Sequence, residues 1–249
     1  MRRILTITGA TVVLGLTGVV ASTVTQAAPQ QPSAARPRPA KVTIRPETGA
    51  PRVVAHARAA SNSCGFERAI PADNFKGLPN YTPARAEHPF IVRMFTTQGL
   101  IVWRALTSAA PCTTYSFRFL AQRGYFTKTH CHRLTLRGIY VLQCGDPTGT
   151  GSGAPGYKFK DENLAGATYP AGTVAMANAG PDTNGSQFFF CWKSSPLIPP
   201  DYTPFGVVIE GMNVLRKIAA AGDDSQNGPG DGYPHLFVAF RHVQVKFTK

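Results

Sequence analysis

The stretch AMANAGPDTNGSQFFFC, which occupies residues 175–191, guides the interpretation of the whole chain. It begins with a short apolar run that ends at Asn178, and it closes with three consecutive phenylalanines and a cysteine. The proline, aspartate, asparagine and glycine in its centre are residue types that favour turns. The pattern predicts two strands joined by a loop, with Asn178, Gln187 and Phe189 placed around one pocket.

Short strands also dominate the rest of the chain beyond residue 85. A hairpin is predicted around residues 97–99, and Pro111 and Gly124 suit the two ends of a helix. Apolar side chains at helical spacing predict a second helix over residues 212–221. The other predicted strands cover residues 130–134, 139–144, 173–179, 187–192, 205–209 and 236–247. The sequence therefore predicts a mainly β fold, an antiparallel barrel capped by two α-helices.

The first 60 residues differ from the rest. Arg2 and Arg3 precede an uncharged apolar run at residues 4–21, and small residues follow up to Ala27, so residues 1–27 are predicted to be a cleaved signal peptide. The alternative is an uncleaved membrane anchor, because the apolar run approaches the length that spans a bilayer. Residues 28–60 are rich in proline, alanine and arginine and predict a disordered linker. The folded domain is then residues 61–249, with its core from about residue 88, in a secreted or envelope-associated protein.

The net charge of +13 is concentrated at that same end of the chain. Residues 1–60 contain eight basic residues and one acid, so the predicted domain is only moderately basic. The basic runs interleaved with aromatics that are typical of a nucleic-acid groove do not occur, and no nucleic-acid partner is predicted. A basic linker that binds anionic envelope polymers is a weaker alternative.

Five cysteines follow the leader, which in an exported protein permits disulfides but leaves one thiol unpaired. Cys191 ends an apolar run and is the predicted buried free thiol. The other four allow three pairings. If Arg133 and Gln143 face the same side of a sheet, Cys131 and Cys144 point to opposite sides, and a regular strand pair would not let them bond. The other two cysteines of these four are Cys64 and Cys112.

Three formal motifs carry little weight. GSGAPG at residues 151–156 matches a dinucleotide-binding pattern, but strand-like residues follow it instead of a helix. HCH at residues 130–132 offers two imidazoles, whereas zinc needs three or four ligands and the sequence has no second cluster. Asn184-Gly185-Ser186 fits the glycosylation sequon, but Asn-Gly is first of all a tight-turn signal. No spacing of serine, histidine and aspartate supports a Ser-His-Asp hydrolase. No metal and no cofactor are predicted.

Four longer motifs occur in a fixed order: CHRL at residues 131–134, LQCGDPTGTGSGAPGYKFKDE at 142–162, MANAGPDTNGSQFFF at 176–190 and FGVVIEGMNVLRKI at 205–218. Together they resemble the cyclophilin family of peptidyl-prolyl cis-trans isomerases, and CHRLT with LQCGD looks like exported actinobacterial members. The resemblance implies a closed eight-stranded antiparallel barrel with a helix at each end. It also implies an enzyme that accelerates rotation about X–Pro bonds in exported proteins without covalent chemistry.

The resemblance implies a role for each matching residue. Arg133 takes the place of the catalytic arginine, which donates a hydrogen bond toward the imide nitrogen and so favours the twisted amide over the planar one. Apolar side chains would hold the proline ring, and polar ones would fix the peptide on either side. The implied substrate-binding residues are Tyr140, Val141, Gln143, Ala177, Asn178, Gln187, Phe189, Leu197, Ile198 and Tyr202.

The chain departs from the family pattern in three places. The spacing from Arg133 to Gln143 is two residues longer, which predicts a bulge or a longer turn at residues 135–138. Leu197 stands where many members have tryptophan, which implies weakened cyclosporin binding, and Tyr202 stands where they have histidine. The implied partners are proline-containing segments of unfolded or secreted proteins, bound by a monomer. A non-catalytic peptide-binding or chaperone module on the same scaffold is the alternative function.

Overall fold

The structure is a computed structural model that describes residues 64–248. Within this range the chain is mainly β, as the sequence predicts. The helices are α1 (Pro83–Ala86), α2 (Pro111–Gln122) and α3 (Met212–Ala220). The strands are β1 (Glu67–Ala72), β2 (Phe90–Thr96), β3 (Leu100–Ala105), β4 (Arg133–Thr135), β5 (Val141–Cys144), β6 (Pro155–Lys158), β7 (Thr173–Met176), β8 (Phe188–Cys191), β9 (Pro204–Glu210), β10 (Asp231–Gly232) and β11 (Phe240–Phe247).

The main sheet is antiparallel and has nine strands in the order β10-β4-β5-β8-β7-β9-β3-β2-β11. The predicted number of eight is wrong because the two-residue strand β10 pairs with β4 at one end. The segments that lead into β4 and β11 also bond to each other: the Cys131 amide donates to the Val238 carbonyl at 2.9 Å, and the Phe240 amide donates to the Thr129 carbonyl at 2.9 Å. A separate ribbon of β1 and β6 lies outside this sheet.

Side chains alternate between the two faces of this sheet. Leu134 pairs with Leu142, and Leu142 pairs with Phe190, so these apolar residues share the face that covers the buried core. Arg133 pairs with Gln143, and Gln143 pairs with Phe189, so these three share the opposite face. The register therefore separates a core face from a face that can bind a ligand.

Aromatic side chains fill the core. Trp103 is fully buried with its ring centroid 4.8 Å from Phe117 of α2 and 5.4 Å from Phe205 of β9. Gly206 is required beside it, because a Cβ atom at that position would lie 2.6 Å from the Trp103 ring. Burying an aromatic side chain of this kind stabilises a fold by about 1.5–3 kcal/mol. The contacts fix α2 against the sheet.

The two predicted helices are present, and the four-residue helix α1 was not predicted. Pro111 begins α2, and the next free amides are bonded by a distant carboxylate: Glu162 accepts from the Cys112 amide at 3.0 Å and the Thr113 amide at 2.8 Å. Burial raises the pKa of Glu162 despite these bonds. Gly222, which follows the C-cap residue Ala221 of α3, has a φ of 87°, as expected of a glycine that ends a helix.

The disulfides correct one prediction. Cys64 bonds to Cys112, and Cys131 bonds to Cys144 with Cα atoms 4.0 Å apart. The exclusion of the second pair was wrong because β4 begins only at Arg133, so strand alternation does not extend back to Cys131. Its side chain joins the core cluster that contains Cys144. Cys191 is the buried free thiol, as predicted, and burial raises its pKa to about 12.

The predicted lengthened turn lies between β4 and β5. The Ile139 amide donates to the Arg137 carbonyl at 2.8 Å, and Gly138 has a φ of 70°.

None of the helices in residues 64–248 is long and apolar enough to cross a bilayer. The predicted signal peptide and most of the predicted linker lie outside the described residues.

Candidate active site

Two adjacent short strands position Arg133 and Gln143. The residues are direct partners in the β4–β5 ladder, and the Arg133 Nη1 atom lies 3.5 Å from the Gln143 Oε1 atom. Gln143 is in turn the ladder partner of Phe189 on β8. The sequence-predicted cation, amide and phenyl ring are thereby brought to one face of the sheet.

A carboxylate that the sequence analysis missed holds the guanidinium of Arg133. Asp231 accepts from Nε at 2.8 Å and from Nη2 at 2.6 Å, a bidentate arrangement that fixes the plane of the guanidinium. Asn227 donates a further bond to Asp231 at 3.2 Å. The hydrogen bonds raise the pKa of Arg133 and lower the pKa of Asp231, so both groups are charged at neutral pH.

Gln187 connects the site to the glycine-rich loop of residues 146–156. Its Oε1 atom accepts from Gln143 Nε2 at 2.9 Å, and its own Nε2 atom donates to the carbonyls of Gly151 and Gly153 at 2.8 and 3.0 Å. The buried carboxylate of Asp146 holds this loop. Burial alone would raise the pKa of Asp146, but hydrogen bonds from Gly153, Thr148 and Gly151 lower that pKa overall.

An apolar cluster forms the floor next to these polar groups. Val141, Phe189 and Ile198 are buried in it, and Ala177 and Tyr202 pack against it half-buried. The ring centroids of Phe189 and Tyr202 are 5.8 Å apart. Such a surface can hold a proline ring by apolar contact.

Tyr169 supports this floor and was not predicted from the sequence. Its hydroxyl donates to the Tyr202 carbonyl at 2.8 Å and accepts from the Tyr202 amide at 3.1 Å. Its ring centroid lies 6.2 Å from that of Phe189. Burial raises the pKa of Tyr169 to about 12, so the hydroxyl remains protonated.

A cavity of about 420 Å³ adjoins the polar groups. Gln143, Ala177, Asn178 and Gln187 line it together with the glycine-rich loop, and residues 69–71 of β1 line another part of it. Asn178 is held at the edge because its Nδ2 atom donates to the Asp201 carbonyl at 2.8 Å. The volume is within the range of small-ligand pockets, so a side chain of a bound peptide can enter it.

Two predicted site residues stand apart from this group. The ring of Tyr140 contacts Trp192, with ring centroids 5.2 Å apart, and the Lys193 ammonium, at 4.4 Å from its centroid. Leu197 is 70% exposed, whereas its neighbour Ile198 is buried in the floor. The predicted rim residues Tyr140 and Leu197 are therefore not part of the group that Arg133, Gln143 and Phe189 form at the base of the site.

Asp231, Tyr169 and β1 were missed for the same reason. Asp231 lies in a run of turn residues and reaches Arg133 only because β10 pairs with β4. Tyr169 is a lone aromatic in a loop, and β1 has no alternating pattern, since five of its six residues are exposed. None of them carries a local signal, since each acquires its place from a contact distant in sequence.

The family model for "Cyclophilin type peptidyl-prolyl cis-trans isomerase/CLD" matches residues 91–233, which is more than half of the chain. The chain belongs to the cyclophilin-type peptidyl-prolyl cis-trans isomerase family.

Relatives with curated names include "Probable peptidyl-prolyl cis-trans isomerase B" of Mycobacterium tuberculosis, which is 45% identical over 166 residues. That match covers 61% of this chain and 53% of that protein, so the chain spans about half the length of this relative. "Peptidyl-prolyl cis-trans isomerase-like 1" of Homo sapiens is 38% identical over 153 residues, covering 60% of this chain and 91% of that protein.

Solved structures give the same result for the fold. A cyclophilin type peptidyl-prolyl cis-trans isomerase from Cryptosporidium parvum is similar with a TM-score of 0.58 and 29% identity, covering 65% of this chain and 100% of that one. A second structure of it, determined in the presence of the dipeptide ala-pro, has a TM-score of 0.57 and 30% identity, covering 64% and 99%.

Proposed function

We propose that the chain catalyses cis-trans isomerisation of X–Pro bonds. The observation that carries the proposal is the shared face of Arg133, Gln143 and Phe189, where an oriented cation lies beside an apolar floor. Family membership supports the same activity. Proline-containing segments of other proteins are the proposed substrates, in keeping with the ala-pro dipeptide used with the Cryptosporidium protein.

The proposed mechanism needs no covalent step and no cofactor. The barrier to rotation, about 18–20 kcal/mol, comes from amide resonance. Phe189, Val141 and Ile198 would hold the proline ring, while Arg133 donates to the imide nitrogen as its lone pair returns. An acceleration of about 10⁵ requires roughly 7 kcal/mol, which an oriented charged hydrogen bond and substrate positioning together can supply.

The test is the rate of isomer exchange in a short X–Pro peptide. Arg133→Ala is expected to lower kcat/KM at least about 100-fold, because the only proposed donor to the imide nitrogen is lost. Arg104→Ala is the matched control, since Arg104 is an exposed arginine on β3. Circular dichroism of both variants checks the fold. Equal rates for wild type and Arg133→Ala would overturn the mechanism.

A non-catalytic peptide-binding or chaperone module is the second candidate. It is favoured by the rim, where Leu197 is exposed and Tyr140 packs against Trp192 instead of the floor. Exchange spectroscopy by NMR separates the two functions. Binding of a proline peptide without faster exchange would support the second candidate and contradict the first.

We further propose that cyclosporin binding is weak in this protein. Leu197 offers no indole N–H donor at the position where the family resemblance places tryptophan. Leu197→Trp is expected to tighten cyclosporin binding, measured by calorimetry, while leaving the floor intact. An unchanged affinity would contradict this role for the rim.

We also propose that the protein is exported, with residues 1–27 as leader and residues 28–60 as a linker before a monomeric domain. The two disulfides support this proposal, because disulfides persist in oxidising compartments. Mass spectrometry of the native protein would identify the mature N-terminus, and light scattering would give the oligomeric state. A native chain that begins at Met1 would contradict cleavage.

We propose that the main sheet closes into a barrel. The bonds that join residues 128–131 to residues 238–240 support closure, since they leave less of the sheet edge open. Slow hydrogen exchange of the Cys131 and Phe240 amides is expected. Exchange as fast as that of an open edge would contradict closure.

A further inference from the structure

A second cavity, of about 460 Å³, lies beside α1 and α2. It shares no lining residue with the cavity next to Gln143. Its walls come from α2, from the segment around α1 and from the end of β11, where Phe247 contributes. It is therefore a separate site from the proposed active site.

The lining of this cavity is cationic. Arg85, Arg118, Arg123 and His88 line it, and no aspartate or glutamate does. In the described part of the chain the two ion pairs are Arg133–Asp231 and Lys158–Glu67, so none of the three guanidinium groups in the lining is paired with a carboxylate. Three guanidinium groups around one cavity repel one another unless an anion enters.

Arg118 is the fixed member of this group. It is 7% exposed, and its Nη1 atom donates to the Arg85 carbonyl at 2.8 Å. Its guanidinium also lies 4.8 Å from the centroid of the Tyr115 ring and 5.4 Å from that of Phe247. Burial lowers the pKa of Arg118, yet an arginine remains charged in proteins. The protein thus holds a partly desolvated cation in a set orientation.

A purely structural role would explain only part of this arrangement. The bond from Arg118 to the Arg85 carbonyl ties α1 to α2, and that role needs a single cation. The side chains of Arg85 and Arg123 are not needed for it, although both line the same cavity. Arg123 lies over the Phe119 ring with its Cζ atom 3.9 Å from the centroid, which orients a second guanidinium.

We propose that this cavity binds a small molecule that carries a phosphate group. Guanidinium groups match phosphate oxygens with paired hydrogen bonds. A phosphate monoester carries about −1.5 to −2 charges at neutral pH, which suits several cations better than a single carboxylate does. The volume lies within the range of small-molecule sites, and the rings of Tyr115, Phe119 and Phe247 offer an apolar wall for the rest of the ligand.

The test is calorimetric titration of the full chain with inorganic phosphate, pyrophosphate and succinate. Saturable binding of pyrophosphate is expected, tighter than that of succinate. The double variant Arg85→Gln/Arg123→Gln is expected to weaken it about tenfold or more, because each charged hydrogen bond contributes measurably. The matched control is Arg104→Gln/Arg216→Gln, which removes two exposed arginines outside the cavity.

Several outcomes would overturn the proposal: no saturable binding, succinate binding as tightly as pyrophosphate, or equal weakening in the control. Arg118→Gln is also expected to weaken binding, with thermal unfolding measured alongside because Arg118 also ties α1 to α2. Arg133→Ala should bind pyrophosphate as the wild type does. The phosphate site and the isomerase site can therefore fail independently.

Discussion

The guanidinium of Arg133 forms an ion pair with Asp231, and this pair fixes the direction in which Arg133 can donate a hydrogen bond. Asp231 accepts two hydrogen bonds from its guanidinium and leaves Nη1 directed toward Gln143. A free arginine side chain samples many rotamers, whereas a forked carboxylate restricts it to one plane. We therefore regard Asp231 as a positioning residue for the proposed chemistry.

Asp231→Asn is expected to lower kcat/KM about tenfold, because an amide cannot accept both guanidinium bonds and the donor loses its orientation. KM is expected to change less than kcat, since Asp231 does not line the cavity that adjoins Gln143. The measurement is the peptide isomerisation assay at several substrate concentrations. Glu210→Gln, an exposed acid on β9, is the control. If Asp231→Asn isomerises the peptide as fast as wild type does, Asp231 has no role in positioning Arg133.

His132 offers a pH-dependent test. It is 5% exposed, and burial lowers its pKa. The folded state resists protonation that the unfolded state accepts at a pKa of about 6.5, so the free energy of unfolding should fall as the pH drops below that value. Asp146 and a hydrogen bond with Gln187 oppose the shift in the pKa of His132, while His130 and Arg133 add to it.

His132→Phe should reduce this loss of stability between neutral and acidic pH. Urea denaturation at several pH values measures it, and His242→Gln, at an exposed position, is the control. A variant whose free energy of unfolding falls with pH as steeply as that of wild type would show that other groups cause the decline.

Among the elements, local patterns predicted what depends on local sequence. The run at residues 175–191 predicted β7, β8 and the pocket residues, because apolar alternation and turn residues determine the structure of the residues next to them. The pairing of β10 with β4, which brings Asp231 to Arg133, depends on residues nearly 100 positions apart. The Cys131–Cys144 bond depends on where regular strand geometry ends. Such contacts follow from the assembled sheet and leave no periodic signal.

The ribbon of β1 and β6 is joined to the sheet domain by a disulfide. Cys64 lies just before β1 and bonds to Cys112 in α2, across 48 residues of chain. The Lys158–Glu67 ion pair between the strands is exposed and contributes little. The disulfide is therefore the stronger restraint on residues 69–71, which line the cavity beside Gln143.

Replacing Cys64 and Cys112 together with alanine is expected to lower the free energy of unfolding by about 4 kcal/mol, from the closed-loop entropy of a cross-link this long. Denaturation in urea without reductant measures the change. Cys191→Ala, which removes the buried free thiol, is the control and should cost less. A loss below about 1 kcal/mol would mean that the unfolded chain is not restrained by this link.

Over the whole molecule, the groups that the proposed mechanism uses all lie among the described residues. The core, both disulfides, the Arg133–Asp231 pair and the floor around Phe189 all lie within residues 64–248. The matched family region, residues 91–233, lies inside the same range. The contacts on which the proposed activity depends are thus contacts among residues 64–248.

A fragment of residues 61–249 is therefore expected to fold alone and to match the full chain in kcat/KM within about twofold, as an independent domain does. Its thermal midpoint should also agree, because the buried core and cross-links are unchanged. Isomerisation kinetics and thermal unfolding of both chains measure this, with Arg133→Ala in the fragment as the inactive control. A fragment that folds but catalyses much more slowly would place part of the substrate-binding surface in the first 60 residues, and the peptide site would then extend beyond the cyclophilin sheet.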